Sequence, residues 1–122
     1  MVYKRSIRVY SEEEKEALRA QKDLPPEEQQ CPVCGALGIR RYFTMFEGRT
    51  QPTIGSQTWC PVCHTFTGST GPALGRVVES DPMKDDPDAP RGEGGQAAME
   101  AFFSYLDRLW DKGLLPQRIT RR

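Results

Sequence analysis

Large apolar residues near the end of the chain recur at steps of three and four positions. They are Met99, Phe102, Phe103, Leu106, Leu109 and Trp110. This spacing is typical of an amphipathic α-helix whose apolar stripe packs against a core. Gly113 is placed for a left-handed helix cap, and Pro116 prevents continuation. The pattern therefore predicts a helix over 96–115 that supplies the largest single block of the core.

Apolar and polar positions alternate at the start of the chain. In an extended segment Tyr3, Ile7 and Val9 would share one face, while Lys4 and Arg8 would lie on the other. A period of two is typical of a strand with one buried face. We therefore predict a half-buried N-terminal strand.

A short helix is predicted directly after this strand. Ser11 and Glu14 have the spacing of a capping box, in which each side chain bonds the backbone N–H of the other residue. An acidic first turn also suits the positive end of the helix dipole. The helix is expected to end near Lys22, because Pro25 and Pro26 follow. Its few apolar residues can cover a core but cannot build one.

The middle of the chain contains short runs that favour strands. The run 39–46 is rich in β-forming residues, and a loop containing Pro52 and Gly55 is expected to lead to a second strand at 57–60. A third run, 65–67, follows the last cysteine. Such runs separated by turns predict a hairpin or a three-stranded antiparallel sheet.

Proline and glycine are frequent from 68 to 95. Val77 and Val78 are the only adjacent strand-forming pair there, and they predict one short strand. The stretch 80–95 has almost no apolar residues and is expected to be a surface loop or a flexible acidic linker.

Together these elements predict an α+β fold. A small antiparallel sheet would be preceded in the chain by a strand and a short helix. A C-terminal amphipathic helix would pack on this sheet. We expect one domain over 1–122, because that length leaves no room for two full cores. Its segments would be the strand and capped helix at 1–30, the cysteine-bearing sheet at 31–67, the linker at 68–95 and the helix at 96–115.

Composition indicates that this core is marginal. The 122 residues include 23 Leu, Ile, Val and Phe residues, just under the ~20% associated with disorder. The formal net charge is zero, which is not the high charge typical of disordered chains. A fold of this composition is expected to need an additional stabilising element.

The same composition excludes a membrane-spanning chain. No apolar run approaches the ~20 residues that a membrane helix needs. The first ten residues also lack the apolar stretch of a signal peptide. We therefore expect a cytoplasmic protein without a membrane partner.

Charge is unevenly distributed although it sums to zero. Residues 11–30 carry −4 and 79–100 carry −5, whereas 1–10, 31–78 and 101–122 each carry +3. Acidic segments of this kind most simply keep a small protein soluble. The alternative is an acidic surface for a basic partner.

The four cysteines form two copies of one motif. Cys31-Pro32-Val33-Cys34 and Cys60-Pro61-Val62-Cys63 are separated by 25 residues. Two residues between cysteines allow both thiolates to bind one ion from a tight turn, and four thiolates make a closed structural zinc site. Disulfides, redox catalysis and an oxidation-driven release of zinc are the alternatives. They are less favoured because a non-exported chain stays reduced and neither pair opens a helix.

This stretch resembles the zinc-ribbon group over 31–67. The residues that carry the resemblance are Cys31, Pro32, Cys34, Gly35, Cys60, Pro61 and Cys63. The resemblance implies two metal-binding turns joined by a hairpin, with Zn²⁺ as the cofactor. His64 stands where many members have glycine, at a position that often takes a positive φ. Zinc ribbons serve in transcription, translation, enzyme subdomains and protein docking, so the resemblance implies a fold more than a function.

Catalysis is not expected. A site with four cysteine ligands has no open position for a zinc-bound water. His64, the single histidine, directly follows a predicted ligand and is most simply a surface or hydrogen-bonding residue, the alternatives being an exchange ligand or a catalytic base. No nucleophile elbow, phosphate loop or zinc-protease motif occurs in the chain.

Two binding functions remain. The first is a protein-binding module, such as a regulatory adaptor or an inhibitor of the immunity or antitoxin kind. The second is a nucleic-acid-binding or transcription-associated module, in which arginines would contact phosphates and aromatic rings would stack on bases. The candidate binding residues are Arg40, Arg41, Tyr42, Arg49, Trp59 and His64. Phe43, Phe46 and Phe66 are further possible anchors, although about half of these aromatic residues are expected to fill the core.

Overall fold

The computed structural model describes residues 8–90 and 94–121 and confirms the α+β class. A three-stranded antiparallel sheet has the order β1-β2-β3, and β4 pairs with β5 in a separate two-stranded sheet. The elements in chain order are α1 (Glu12–Arg19), a short 3₁₀ helix (Pro26–Glu28), β1 (Arg40–Glu47), β2 (Pro52–Trp59), β3 (Phe66–Pro72), β4 (Arg76–Val78), α2 (Gln96–Asp111) and β5 (Ile119–Arg121).

The two faces of the large sheet carry different side chains. Arg41 lies opposite Thr58, and Thr58 lies opposite Thr67, so these three residues share one face. Tyr42 and Trp59 belong to the other face, where they pack with α2. We call the face with Arg41, Thr58 and Thr67 the α1 face, and the face with Tyr42 and Trp59 the α2 face.

The main core lies between the α2 face and α2. Its buried members are Tyr42, Trp59, Phe102, Phe103, Leu106, Leu109 and Leu115. Phe103 is fully enclosed and stacks at a tilt on Trp59, with ring centroids 5.6 Å apart. The predicted role of the C-terminal helix as the largest core element is therefore confirmed. A second cluster at the cysteine end contains Tyr10, Leu18, Cys31, Ile39 and Cys60.

α2 ends earlier than the predicted boundary at 115. It ends at Asp111, and Gly113 takes a φ of 78°. The backbone N–H groups of Gly113 and Leu114 then bond the carbonyls of Trp110 and Leu109 at 2.9 and 3.0 Å. These two bonds are those of a Schellman cap, so the predicted left-handed cap is present.

α1 has the predicted capping box. The Ser11 hydroxyl accepts from the Glu14 N–H at 3.2 Å, and the Glu14 carboxylate accepts from the Ser11 N–H at 2.7 Å. The regular helix ends at Arg19, three residues before the predicted Lys22. Beyond it the chain continues in turns closed by i to i−3 bonds, such as Lys22 N–H to Arg19 carbonyl at 3.1 Å.

The predicted N-terminal strand is only partly described, since Tyr3 and Ile7 lie outside the described residues. Val9 makes a parallel bridge to Phe66, but it is 58% exposed while Tyr10 is 3% exposed. The predicted burial of Val9 is therefore wrong. The chain buries the neighbouring aromatic side chain, which packs in the cluster at the cysteine end.

The second strand begins at Pro52, where a loop was predicted. Pro52 opens the strand, a position that does not require its missing N–H. A Cβ on Gly55 would approach side-chain carbons of Phe46 and Thr44 at 3.4 Å, so glycine relieves crowding within the sheet. Both turn-forming residues are thus accommodated in a strand.

The segment after β4 is not a bare linker in the part that the structure describes. Asp81 accepts hydrogen bonds from the hydroxyls of Tyr42 and Thr44 at 2.7 and 3.0 Å. Asp86 accepts from the Tyr105 hydroxyl at 2.8 Å, and Met83 packs against the main core. Asp81 and Asp86 thus attach this loop to β1 and to α2.

The predicted short strand at Val77 and Val78 is present as β4, and its partner β5 was not predicted. Close to β5, the buried Gln117 side chain bonds the outer edge of β1. Its Oε1 accepts from the Phe43 N–H at 3.0 Å, and its Nε2 donates to the Phe43 carbonyl. No helix in the described part of the chain has the length and apolar character needed to cross a membrane.

Candidate metal centre

The first cysteine pair lies on a tight turn between the 3₁₀ helix and β1. The Cys31 N–H donates to the Ala36 carbonyl at 2.8 Å, and the Gly35 N–H donates to the Cys31 carbonyl at 2.9 Å. Gly35 has a φ of 78°. These bonds fix the turn so that Cys34 returns toward Cys31.

The second pair repeats this backbone arrangement between β2 and β3. The Cys60 N–H donates to the Thr65 carbonyl at 3.1 Å, and the His64 N–H donates to the Cys60 carbonyl at 2.9 Å. His64 takes a φ of 55°, matching the glycine in the first turn. The expected positive φ therefore occurs in both turns, even though histidine adopts it at a cost.

The two turns bring all four sulfur atoms together. The Sγ atoms lie within 4.8 Å of one another, with Cys31 to Cys63 at 3.8 Å and Cys34 to Cys60 at 3.6 Å. Four sulfurs held tetrahedrally at about 2.3 Å from a zinc ion would be about 3.8 Å apart. A disulfide requires about 2.05 Å, and all four cysteines are free. The cluster therefore has the spacing of a four-thiolate metal site, not of two disulfides.

Backbone and side-chain donors surround the sulfurs. The N–H groups of Val33 and Val62 each lie 3.4 Å from the sulfur of the cysteine that opens their turn. The Thr65 hydroxyl lies 3.1 Å from the Cys63 sulfur. The Tyr10 hydroxyl lies 3.1 Å from the Cys31 sulfur, and burial holds the pKa of Tyr10 above its ordinary value, so this hydroxyl stays protonated and donates. Such donors stabilise thiolates and orient metal ligands.

The thiols differ in acidity because their surroundings differ. Burial opposes ionisation of Cys31, but hydrogen bonds from Tyr10 and from backbone N–H groups outweigh it and lower its pKa to about 7. Burial raises the pKa of Cys60 and of Cys63. A bound cation would compensate the charge of these buried thiolates, since metal binding displaces thiol protons.

Asp107 of α2 joins the second turn to the main core. One carboxylate oxygen accepts from the Trp59 indole N–H and from Arg40, each at 2.8 Å. The other oxygen lies 2.8 Å from His64 Nε2. Burial alone would raise the pKa of Asp107, but hydrogen bonds from these three side chains lower it below its ordinary value. Asp107 thus fixes the second cysteine turn against the helix.

The other predicted binding residues do not form one surface. Tyr42 and Trp59 are buried at 6% and 0% exposure, so neither ring is available to a partner. Arg40 is held by Asp107 and lies over Trp110, with 5.5 Å from its guanidinium carbon to the ring centroid.

The remaining predicted side chains are scattered. Arg41 lies on the α1 face, whereas Arg49 is exposed beyond the far end of β1. Of the other aromatic residues, Phe66 packs on the core and Phe46 is 45% exposed. Burial of Tyr42 and Trp59 therefore leaves no exposed ring at these two positions beside the arginines.

Three residues of the site were not found from the sequence. Tyr10 and Asp107 belong to no local motif, and Thr65 is only part of the strand-forming run 65–67. Asp107 interrupts the apolar stripe of α2 between buried Leu106 and the half-buried Trp110, and a carboxylate in that position is a signal of a specific partner.

Comparisons with models of known protein families, with curated proteins and with solved structures find no match for this chain.

Proposed function

We propose that the protein is a zinc-stabilised binding module. Cys31, Cys34, Cys60 and Cys63 would hold the ion, and the spacing of their sulfur atoms is the observation that supports this proposal. Bound zinc would cross-link the two turns. The likeness of 31–67 to a zinc ribbon is part of the proposal, supported by the repeated backbone bonds of the two turns and by the strands that continue from them.

The proposed role is non-catalytic. Four sulfur ligands complete a tetrahedral shell, which leaves no position for a substrate or a reactive water. His64 is engaged with Asp107, an interaction that serves to position the turn. A site of reduced thiolates persists in a reducing compartment, so a cytoplasmic location belongs to the same proposal.

A protein partner is proposed at the metal end. Val62, at the tip of the second turn, is 69% exposed, and Leu37, three residues after Cys34, is 68% exposed. Since the four sulfurs lie within 4.8 Å, the turns that carry these side chains are neighbours. Exposed apolar side chains on a rigid support are suitable anchors for another protein.

A more specific form of this proposal is an inhibitor of the immunity or antitoxin kind. The acidic stretches 11–30 and 79–100 would complement a basic active site on the target. A nucleic-acid-binding role is the competing function, and the burial of Tyr42 and Trp59 removes the rings expected to stack on bases.

The first test is metal analysis of the purified protein. We expect one equivalent of zinc per chain and its loss in the Cys60→Ser variant. Zinc-free protein that remains folded at the metal end would contradict the structural role.

The second test compares Val62→Ser and Leu37→Ser with Leu74→Ser. Leu74 is equally exposed at 69% but lies in the turn before β4, away from the cysteines. We expect the first two variants to retain zinc and lose a stoichiometric protein partner, while Leu74→Ser keeps both. Steeply salt-dependent retention on random DNA, with no such partner, would favour the nucleic-acid function instead.

A further inference from the structure

A second feature lies on the opposite side of the sheet from α2. A cavity of about 270 Å³ opens between α1 and the α1 face. Four basic side chains line it, namely Lys15, Arg19, Lys22 and Arg41. Nothing in the proposed zinc site uses these residues, so their concentration around one cavity requires a separate explanation.

Arg41 is the central member of this group. Its guanidinium is half-buried, and its single hydrogen bond within the described part of the chain runs to the neutral Gln29 side chain, at 3.0 Å. No carboxylate pairs with it among the described residues, and burial lowers the pKa of Arg41. A partly buried guanidinium is ordinarily paired with an acid, and it has five N–H donors to satisfy. Arg41 is therefore free to pair with an anion that the described part of the chain does not supply.

Hydroxyl groups complete the lining on the sheet side. Thr58 lies directly opposite Arg41, Thr67 lies opposite Thr58, and Ser69 is two positions farther along the same face of β3. All three line the cavity. The hydroxyls of Ser69 and Ser56 form a hydrogen bond of 2.7 Å. The hydroxyls of Thr58 and Thr67 bond no other residue in the described part of the chain. Arginine with hydroxyl groups is a combination that suits phosphate oxygens.

The charges on α1 are only weakly neutralised. Lys15 pairs with Glu12, and Arg19 pairs with Glu16, but these carboxylate side chains are 83% and 71% exposed. Exposed pairs at this spacing contribute little and can be exchanged for a stronger partner. Lys22 has no carboxylate partner in the described part of the chain. The cavity therefore keeps an excess of positive charge, although α1 as a whole is acidic.

We propose that this cavity binds a single phosphate monoester group, carried by a small molecule or by a phosphorylated side chain. The volume is below the ~300 Å³ of ordinary small-molecule pockets, so it suits a compact anion. None of the described residues that line it is aromatic, whereas single-stranded nucleic acid sites provide rings for base stacking. The site lies apart from the cysteines and goes beyond the proposed function.

The test is calorimetric titration of the zinc-loaded protein at low salt. The probes are inorganic phosphate, O-phosphoserine, a short phosphoserine peptide and its unphosphorylated form. We expect phosphorylated probes to bind and the unphosphorylated peptide not to bind. Tighter binding of the peptide than of O-phosphoserine would identify a phosphorylated protein as the source, and equal binding would identify a small molecule.

Arg41→Gln is expected to weaken binding about tenfold or more, since it removes charge-assisted hydrogen bonds. Lys22→Gln, which alters an exposed side chain, should weaken binding about threefold without disturbing the fold. Arg49→Gln is the matched control, because it removes the same charge outside the cavity. Equal losses in Arg41→Gln and Arg49→Gln, or tighter binding of single-stranded DNA than of any phosphoserine probe, would overturn the proposal.

Discussion

Asp107 illustrates how one side chain can unite distant parts of this small fold. It bonds a β1 arginine, a β2 indole and the histidine of the second cysteine turn. Its carboxylate has low exposure, 19%, so these charge-assisted bonds are poorly screened. The residue therefore couples the position of the metal site to the packing of α2.

Replacing Asp107 should weaken the whole molecule. We expect Asp107→Asn to lower the free energy of unfolding by about 2 kcal/mol, because Arg40 loses its partly buried counter-charge. Urea denaturation of the zinc-loaded protein measures this change. Asp111→Asn is the control, since Asp111 contacts the same arginine at 3.4 Å but is 70% exposed. Equal effects of both substitutions would show that Asp107 has no special role.

The contribution of Asp107 should depend on pH in a defined direction. Its pKa is lower in the folded protein than in the unfolded chain, where it is about 4. The stabilisation is therefore fully present above about pH 5 and is lost as pH falls through the folded-state pKa. We expect the stability advantage of the natural protein over Asp107→Asn to shrink as the pH falls below about 5. A difference that grows in acid would contradict this assignment.

Tyr10 should act on metal retention more than on packing. Tyr10→Phe keeps the ring in its cluster but removes the hydroxyl that donates to Cys31. We expect zinc affinity to fall about tenfold, measured by competition with a chelating dye, because donors around a metal site tune its ligands. Tyr105→Phe is the control, since it removes a hydroxyl that bonds Asp86, outside the metal site. The same loss in both variants would argue against a direct effect on the thiolate.

At the level of elements, α1 depends on its N-terminal cap because Leu18 is its single buried residue. Removing the Ser11 hydroxyl should therefore cost about 1 kcal/mol of unfolding free energy. Ser11→Ala tests this by thermal and urea denaturation. Ser80→Ala, at an exposed position outside both α-helices, should change stability by less than ~0.5 kcal/mol. Unchanged stability in Ser11→Ala would mean that tertiary contacts alone hold α1.

The elements differ in how far the sequence predicts them. α2 is predictable because its apolar stripe and its glycine cap are both local signals. The start of β2 is not predictable from the sequence, because Pro52 and Gly55 usually indicate turns. Their place in a strand becomes clear only from the contacts with the neighbouring strands. β5 is three residues long, and its pairing with β4 depends entirely on a partner about forty residues earlier.

At the level of the whole molecule, the cysteine site supports the smaller of two cores. Cys31 and Cys60 are themselves buried members of the cluster that contains Tyr10, Leu18 and Ile39. This cluster has few large apolar side chains, so a metal ion bound there would replace much of the missing hydrophobic stabilisation. Structural zinc can contribute on the order of 10 kcal/mol, comparable to the entire stability of a small domain.

Metal removal should consequently unfold at least 31–67. Trp59 reports on this region because it is fully buried next to Cys60. In a Trp110→Phe background, we expect chelation to shift its fluorescence to the red and to reduce the circular dichroism signal, and added zinc to restore both. An unchanged emission spectrum and melting temperature in metal-free protein would exclude a structural metal at this site.

The candidate site is predictable only in part. The cysteine pairs identify the sulfur ligands because their spacing is local and repeated. The residues around them come from separate parts of the chain, with Tyr10 before the first turn and Asp107 on the last helix, so the spacing of the cysteines does not indicate them. The buried state of Tyr42 and Trp59 likewise depends on where α2 packs, which the sequence pattern leaves open.

The side chain of Gln117 affects how this protein can associate with other molecules through the edges of its sheet. Its amide group bonds both the backbone N–H and the carbonyl of Phe43 on the outer edge of β1, as the backbone of a fourth strand would. An edge occupied in this way offers fewer free groups for pairing with a second chain. On the opposite edge, residues 8–10 pair with Phe66, and no other described strand covers the exposed Gly68, Ser69 and Thr70 beyond that contact. Sheet extension by another molecule, including unwanted aggregation, is therefore directed to the β3 side.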